Sequence, residues 1–337
     1  MRYFIFGFLF SCCNFCWAGG GAEGTDVKVI TSLTPEKAAE RVSDCEGSSL
    51  YLDDITSINE AVAKEIIKFR GNVSFGGLTT IGRNVAHELR KAEGIWLALG
   101  VELIDKEVAH ELARFEGKSL LLRQLVLDEK SVAHELAKFD GDSLYLDGIT
   151  SLDKDVAKEL AAFKGSLSLC GLTSIDKEVA HELAQSKGFQ SGWLSLNGLT
   201  LIDKDVAHEL GKVEGGQLFL RGLTQIDKDV AQELAQSGGA LYLRGLNSID
   251  GEVARMLAKS KGPTISLGLK SVNKQVAKEL ANFEGGCLDL RELTSIDKEV
   301  ALELAKFKGE RLHIDDKTSI NKSVLKILKS NSAITVF

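Results

Sequence analysis

From Val27 to the C-terminus the apolar positions of the chain recur with a period of 23 or 24 residues. The unit opening at Leu144 shows the pattern most clearly: Leu-Tyr-Leu-Asp-Gly-Ile-Thr-Ser-Leu-Asp-Lys-Asp-Val-Ala-Lys-Glu-Leu-Ala-Ala-Phe-Lys-Gly-Ser. Positions 1 and 3 are apolar around a variable residue, the period-two pattern of a short strand. Val at position 13, Leu at 17 and often Phe at 20 are spaced i, i+4, i+7, which predicts one buried stripe on a helix of roughly ten residues. Ala at 14 and 18 flanks the stripe and lets neighbouring helices approach. Asp at position 10, as in Asp153, Asp176, Asp203 and Asp227, is placed to cap that helix and suits its dipole. Gly at position 22, as in Gly71, Gly141, Gly165 and Gly309, predicts a left-handed helix terminator. Gly at position 5, as in Gly77, Gly148, Gly171 and Gly222, predicts a positive φ or a close backbone approach. Position 6 is aliphatic, and position 7 is Thr in most units.

Units open at Val27, Leu50, Val73, Leu97, Leu120, Leu144, Leu167, Leu194, Leu218, Leu241, Ile265, Leu288 and Leu312. A short insertion around Phe189 to Trp193 lengthens one step, and the units at Leu97 and Ile265 each lack one turn residue. One strand–helix unit cannot bury its apolar face; a stack of them buries a continuous core. Strands stack about 4.8 Å apart and helices about 10 Å apart, so the stack is expected to curve. The expected fold is an α/β solenoid with a parallel inner sheet, about 60 Å long for thirteen strands, and outer helices. Period, Leu-x-Leu strand core and strand–helix alternation resemble the leucine-rich-repeat proteins, of a bacterial short-period type. The resemblance implies a concave sheet that recognises a protein or an extended polymer. It departs where Leu172, Leu199, Leu223 and Leu246 stand in place of the family's loop Asn or Cys. The neighbouring column of Thr150, Thr173, Thr200 and Thr224 is expected to replace that ladder through hydroxyl bonds to the loop backbone.

Both ends depart from the repeat, as caps do. Pro35 and Lys37 mark the first unit, Lys317 takes the aliphatic position 6 of the last, and Ala333 to Phe337 reads as a closing edge strand. Ahead of the repeats, Met1 and Arg2 precede an apolar run from Tyr3 to Phe10, followed by small residues up to Ala18. Residues 1–18 read as a signal peptide cut after Ala18, residues 19–26 as a Gly-rich linker, and 27–337 as one repeat domain of about 13 units. The run is too short for a membrane span of about 20 residues and is broken by Asn14. Leu9-Phe10-Ser11-Cys12 resembles a bacterial lipobox, so lipidation at Cys12 is the alternative and the one route to a membrane. Either reading exports the chain, to the medium or to the periplasm and cell envelope. Cys45, Cys170 and Cys287 remain after the leader; their odd number and wide spacing argue against a disulfide framework or a zinc site. They read as buried small residues.

The 33 Gly and only 2 Pro among 337 residues are the punctuation of the repeat, since strands and helix interiors both need their N–H groups. One continuous array thereby replaces the two domains that length alone suggests. A net charge of −7 provides no basic footprint for nucleic acid. His87, His110, His134, His181 and His208 all fall at position 15, opposite the buried stripe, and read as part of a solvated helix face. Coils about 10 Å apart cannot share a metal whose ligand bonds are near 2.1 Å. No HExxH, Ser-His-Asp set or phosphate-cradling glycine loop occurs, so the chain is read as non-enzymatic, with no catalytic residue, cofactor or metal.

The informative positions are 2 and 4, which alternate away from the core. Tyr51, Tyr145, Phe219 and Tyr242 stand at position 2; Arg123, Arg221, Arg244 and Arg291 stand at position 4. Aromatic and Arg side chains are the types enriched at binding hot spots. Phe219, Arg221, Tyr242 and Arg244 occupy adjacent coils and form the sharpest candidate patch. The expected function is that of an exported recognition module, binding a protein or polymer on its sheet. The alternative is a structural or envelope-associated solenoid without a discrete ligand. Mass spectrometry of the mature chain is expected to find Gly19 at its N-terminus; a diacylglyceryl group on Cys12 would establish the lipidated alternative instead.

Overall fold

The computed structural model describes residues 32–186, 188–315 and 317–336. Thirteen helices and thirteen strands alternate along them, from α1 (Pro35–Ser43) and β1 (Ser49–Tyr51) to α13 (Lys322–Leu328) and β13 (Ile334–Val336). Among the described residues the strands form one parallel sheet in chain order, from β1 to β13, and each helix packs against its neighbours in sequence. This is the expected leucine-rich-repeat-like α/β solenoid, and β13 is the closing edge strand. The leader, the linker and the strand expected at Val27 lie outside the described residues.

Register follows from the leucines. Leu120 pairs with Leu144, Leu144 with Leu167, and Leu194 with Leu218, each at position 1 and each fully buried. With positions 3 and 6 they meet the helix stripe, where Val156, Ala157, Leu160 and Phe163 of one unit are all buried. A slip of one residue would turn this whole set to the opposite face of the sheet. Phe115, Phe139 and Phe163 stack with near-parallel rings 6.4 and 6.2 Å apart, so the position-20 column is continuous as well.

Most helices have seven residues rather than ten, as in α6 (Lys154–Leu160). The N-caps form as expected: Asp105, Asp153, Asp176, Asp203, Asp227, Asp250 and Asp297 each accept the N–H of the Val three residues on, at 2.8 Å. The early stop lies at the other end. After two turns the backbone tightens to i→i−3 bonds, as in Lys138 N to Glu135 O and Phe139 N to Leu136 O, both 3.0 Å. This tightening brings the position-20 ring into the core.

With one exception the position-22 glycines are not left-handed terminators. Among the described residues only Gly215, the position-22 glycine of the unit opening at Leu194, and Gly216 beside it have positive φ, at 70° and 61°. A Cβ on Gly71 would lie 2.6 Å from both the Phe69 ring and the Ser48 carbonyl oxygen. The glycine therefore makes room for the ring two residues before it and for the preceding coil. Where Ser replaces Phe, the hydroxyl takes over the turn: Ser237 Oγ donates to Val213 O at 3.2 Å and accepts Gly239 N–H at 3.3 Å. At position 5 the close-approach reading holds, because a Cβ on Gly268 would stand inside the surface of the Arg244 carbonyl oxygen.

The threonine ladder is also corrected. Thr150, Thr173, Thr200 and Thr224 are exposed, whereas at the C-terminal end position-7 hydroxyls reach back, Thr294 to Lys270 O (3.0 Å) and Thr318 to Leu293 O (2.7 Å). Loop carbonyls elsewhere are met by backbone N–H groups, as in Val126 N to Glu102 O at 2.8 Å. Cys45, Cys170 and Cys287 are free thiols and half-buried rather than buried. In urea unfolding, Thr200→Val should leave stability unchanged, whereas Thr318→Val should lower it by about 1 kcal/mol and Gly268→Ala by about 2–3 kcal/mol. Equal effects of the two Thr substitutions would contradict this assignment.

Candidate recognition face

Alternation along each strand sends positions 2 and 4, and the residue just before position 1, to the face opposite the core. Register makes position 2 a column. It runs through Tyr145 of β5 (Ser143–Tyr145), Ser168 of β6 (Ser166–Ser168), Ser195 of β7 (Trp193–Ser195), Phe219 of β8 (Gln217–Phe219) and Tyr242 of β9 (Ala240–Leu243). Ser266 of β10 (Thr264–Leu267) and Asp289 of β11 (Cys287–Asp289) continue it. Large rings thus flank small hydroxyls and lean over them.

The rings meet. Tyr145 and Trp193 are 5.5 Å apart between centroids, Trp193 and Phe219 meet edge-on at 6.2 Å, and Phe219 stacks on Tyr242 at 4.4 Å. Ser168 and Ser195, although on the open face, are 1% and 0% exposed. Being dry, these hydroxyls must find partners within the protein. Ser168 Oγ donates to Asp147 Oδ1, which also accepts Cys170 N–H at 3.1 Å. Cys170 Sγ lies 3.1 Å from Ser195 Oγ, which accepts from Asn197 Nδ2 at 2.8 Å. Asn197 Oδ1 in turn accepts Arg221 N–H at 2.9 Å. Side chains at position 4 therefore meet the backbone N–H of the following coil just past the strand.

Arg221 lies over two rings, its guanidinium carbon 4.8 Å from the Phe219 centroid and 5.9 Å from that of Tyr242. Its Nε is buried without a hydrogen-bond partner, and no acidic group of the described residues forms an ion pair with it. Arg244 and Arg291 differ. Both donate to Asp289 Oδ2, at 2.7 and 2.8 Å, and Arg244 Nε also donates to Ser266 Oγ at 2.9 Å. Burial raises the Asp289 carboxyl, but the Arg291 hydrogen bond and the charges of Arg244 and Arg291 outweigh it and bring the pKa to about 2. Burial pushes the Tyr242 hydroxyl up, so the ring stays neutral.

The structure thus brings Tyr145, Phe219, Arg221 and Tyr242 into one surface, with Arg123 at its edge, 5.6 Å over Tyr145. Arg244 and Arg291 belong to an internal network beside it. Tyr51 stands apart on β1, 63% exposed, facing Trp96 of β3 (Trp96–Leu99). Trp193 and Trp96 were missed by the sequence pattern, because the insertion hides the first and neither sits at position 2 or 4. The alternation itself carried the signal: each directly precedes the first strand leucine and so shares the face of positions 2 and 4.

The histidines are not simply solvated. Each Nδ1 of His87, His110, His134, His181 and His208 lies 2.7–3.0 Å from a Glu carboxylate of the next coil, Glu111, Glu135, Glu159, Glu209 and Glu233. The imidazoles are half-exposed, while Glu111, Glu135 and Glu209 are buried. Hydrogen bonding from Lys138, then from His110, holds the Glu135 carboxyl below its ordinary value against burial. At Glu111 burial is the largest influence, yet His87, Arg90 and Arg83 together outweigh it and the pKa is lowered. Two depressions open on this helical side, one beside His134, Phe139 and Lys164 and one beside Arg83, His110 and Glu135. The phenyl ring lining the first, Phe139, is buried, and no Phe, Tyr or Trp lines the second, so the sheet face, with its partly exposed rings, is the better candidate.

No protein-family model and no curated protein matches the chain. Among solved structures it is similar to an internalin of Listeria monocytogenes, with a TM-score of 0.45 and 15% identity over 90% of this chain and 88% of that one. It is also similar to Drosophila Toll, seen in its complex with Spatzle, with a TM-score of 0.47 and 13% identity over 80% of this chain and 40% of that one. Likenesses of this degree say nothing about a ligand.

A carboxyl held below its unfolded value supports the fold fully above that value, about 4, and the support is lost as pH falls through the folded value. The urea midpoint should therefore drop as pH falls from about 4 towards 2. Asp289→Asn should lower the midpoint at pH 7 and flatten this decline; an unchanged decline would show that Asp289 is not its source.

Proposed function

We propose that this leucine-rich-repeat-like solenoid is a non-enzymatic recognition module that binds a protein or an extended polymer across the open face of its sheet. One observation carries the reading: Arg221 lies on the Phe219 and Tyr242 rings with no acidic partner among the described residues, most of whose other arginines are paired. A guanidinium kept flat against rings loses little further freedom on binding, and its forked donors match a carboxylate. The continuous rings beside it offer apolar area at low entropic cost. Together they favour a partner that presents an acidic group next to an apolar or planar surface. The hydroxyls below are already engaged with one another, so they support the rings rather than reach for a ligand.

Pull-downs with the wild-type chain, Arg221→Glu and the helix-face control Lys158→Glu test this reading. At least one partner should be recovered about tenfold less with Arg221→Glu alone. Equal recovery of every partner by all three chains would overturn it and favour a solenoid without a ligand on this face.

A further inference from the structure

The segment from Ser49 to Ser57, Ser-Leu-Tyr-Leu-Asp-Asp-Ile-Thr-Ser, differs at one position from the segment Ser143 to Ser151, Ser-Leu-Tyr-Leu-Asp-Gly-Ile-Thr-Ser. Four strand spacings, about 19 Å, separate them. The likeness extends to the surroundings. Tyr51 pairs in register with Ser74 of β2 (Asn72–Phe75), and beyond it Trp96 turns its ring to 6.1 Å from that of Tyr51 at 47°. Tyr145 pairs with Ser168, and beyond it Trp193 stands 5.5 Å away at 57°. Asp53 Oδ1 accepts from Ser74 Oγ and from Gly76 N–H, both at 2.6 Å, just as Asp147 Oδ1 accepts from Ser168 Oγ and Cys170 N–H. Even the Trp backbone is held alike: Trp96 N–H donates to Asn72 Oδ1 at 3.0 Å and Trp193 N–H to Ser166 Oγ at 3.2 Å.

One difference stands out. The second copy contains a cation of its own: Arg123, from the coil before, lies 5.6 Å over the Tyr145 ring with its Nε 3.8 Å from Asp147 Oδ2. One unit before Tyr51 the corresponding residue is Ile30, which is uncharged and lies outside the described residues. Asp53 forms no ion pair among the described residues, its Oδ2 accepts no hydrogen bond from them, and Tyr51 is 63% exposed. Ring, tilted ring and carboxylate are all present; no described residue supplies the cation.

We propose that Tyr51, Trp96 and Asp53 form a site for an arginine side chain of a partner polypeptide, seated where Arg123 sits in the second copy. The ring faces attract a cation through their quadrupoles, and the guanidinium plane can stack while its N–H fork reaches the free carboxylate oxygen. The site lies on other strands than Arg221 and selects the opposite charge, so it stands or falls independently of that patch.

The test uses the full chain and follows the indole N–H resonances of Trp96 and Trp193. The probes are acetyl-Gly-Arg-Gly-amide and its uncharged citrulline counterpart. The arginine peptide should shift Trp96 saturably, and the citrulline peptide should bind at least about tenfold more weakly. Tyr51→Ala should lose the response. Asp53→Asn, which keeps the Oδ1 acceptor for Ser74 and Gly76 and so preserves the fold, should weaken it by a similar factor. Arg123→Ala should open the second copy, so that Trp193 responds as well. No saturable shift at Trp96, equal binding of both peptides, or full binding by Asp53→Asn would overturn the site. Silence of Trp193 in Arg123→Ala would overturn the equivalence on which it rests.

Discussion

Each coil must land one strand spacing, about 4.8 Å, from the last, in a register that keeps every position-1 and position-3 side chain over its predecessor. This constraint sets most of the structure. At such spacing the backbone just past the strand runs close to the preceding coil, and at Gly171, Gly198, Gly222, Gly245 and Gly268 a Cβ would stand inside the surface of that coil's carbonyl oxygen. The helix must likewise close within one coil. It stops after two turns and tucks a phenylalanine or a serine beneath the following glycine, as at Phe163 and Gly165 or at Ser237 and Gly239.

The two sides of the stack meet this constraint differently. Between helices, long side chains bridge to the next coil, and the histidine–glutamate contacts do so with a carboxylate that is almost dry. On the sheet, neighbouring side chains are only a strand apart, a distance at which Phe219 and Tyr242 stack directly. Each of the three tyrosines of this column is followed by a serine: Tyr51 by Ser74, Tyr145 by Ser168, and Tyr242 by Ser266. These three tyrosines recur every fourth coil, and the residue two places on changes from Asp53 and Asp147 to Arg244.

Much of this was legible before any coordinates. Strand, cap, stripe and turn were readable because each depends on contacts within one unit or between identical positions of adjacent units. Asp153 caps its own helix, and Leu144 meets Leu167. The misreadings share a different cause. Gly71 looks like a helix terminator until the Phe69 ring is placed beside it. Thr200 looks like a ladder residue until its hydroxyl proves to face outwards. His134 looks solvated until Glu159 of the next coil is seen 2.7 Å away. In each case the deciding partner is a side chain whose direction depends on how coils stack.

The repeat, the alternation of strand and helix, the parallel order and the place of positions 2 and 4 on the open face all follow from the sequence, because periodicity dictates which side chains must be buried together. Only the tertiary structure decided which exposed groups are spoken for. It tied Arg244 and Arg291 to Asp289, seated Arg123 on Tyr145, and, among the described residues, left Arg221 without an acid and Asp53, beside Tyr51 and Trp96, without a cation. The physical reason is reach. Long polar and aromatic side chains span two coils, so their partners are set by the distances and angles of the stack, which no single repeat encodes.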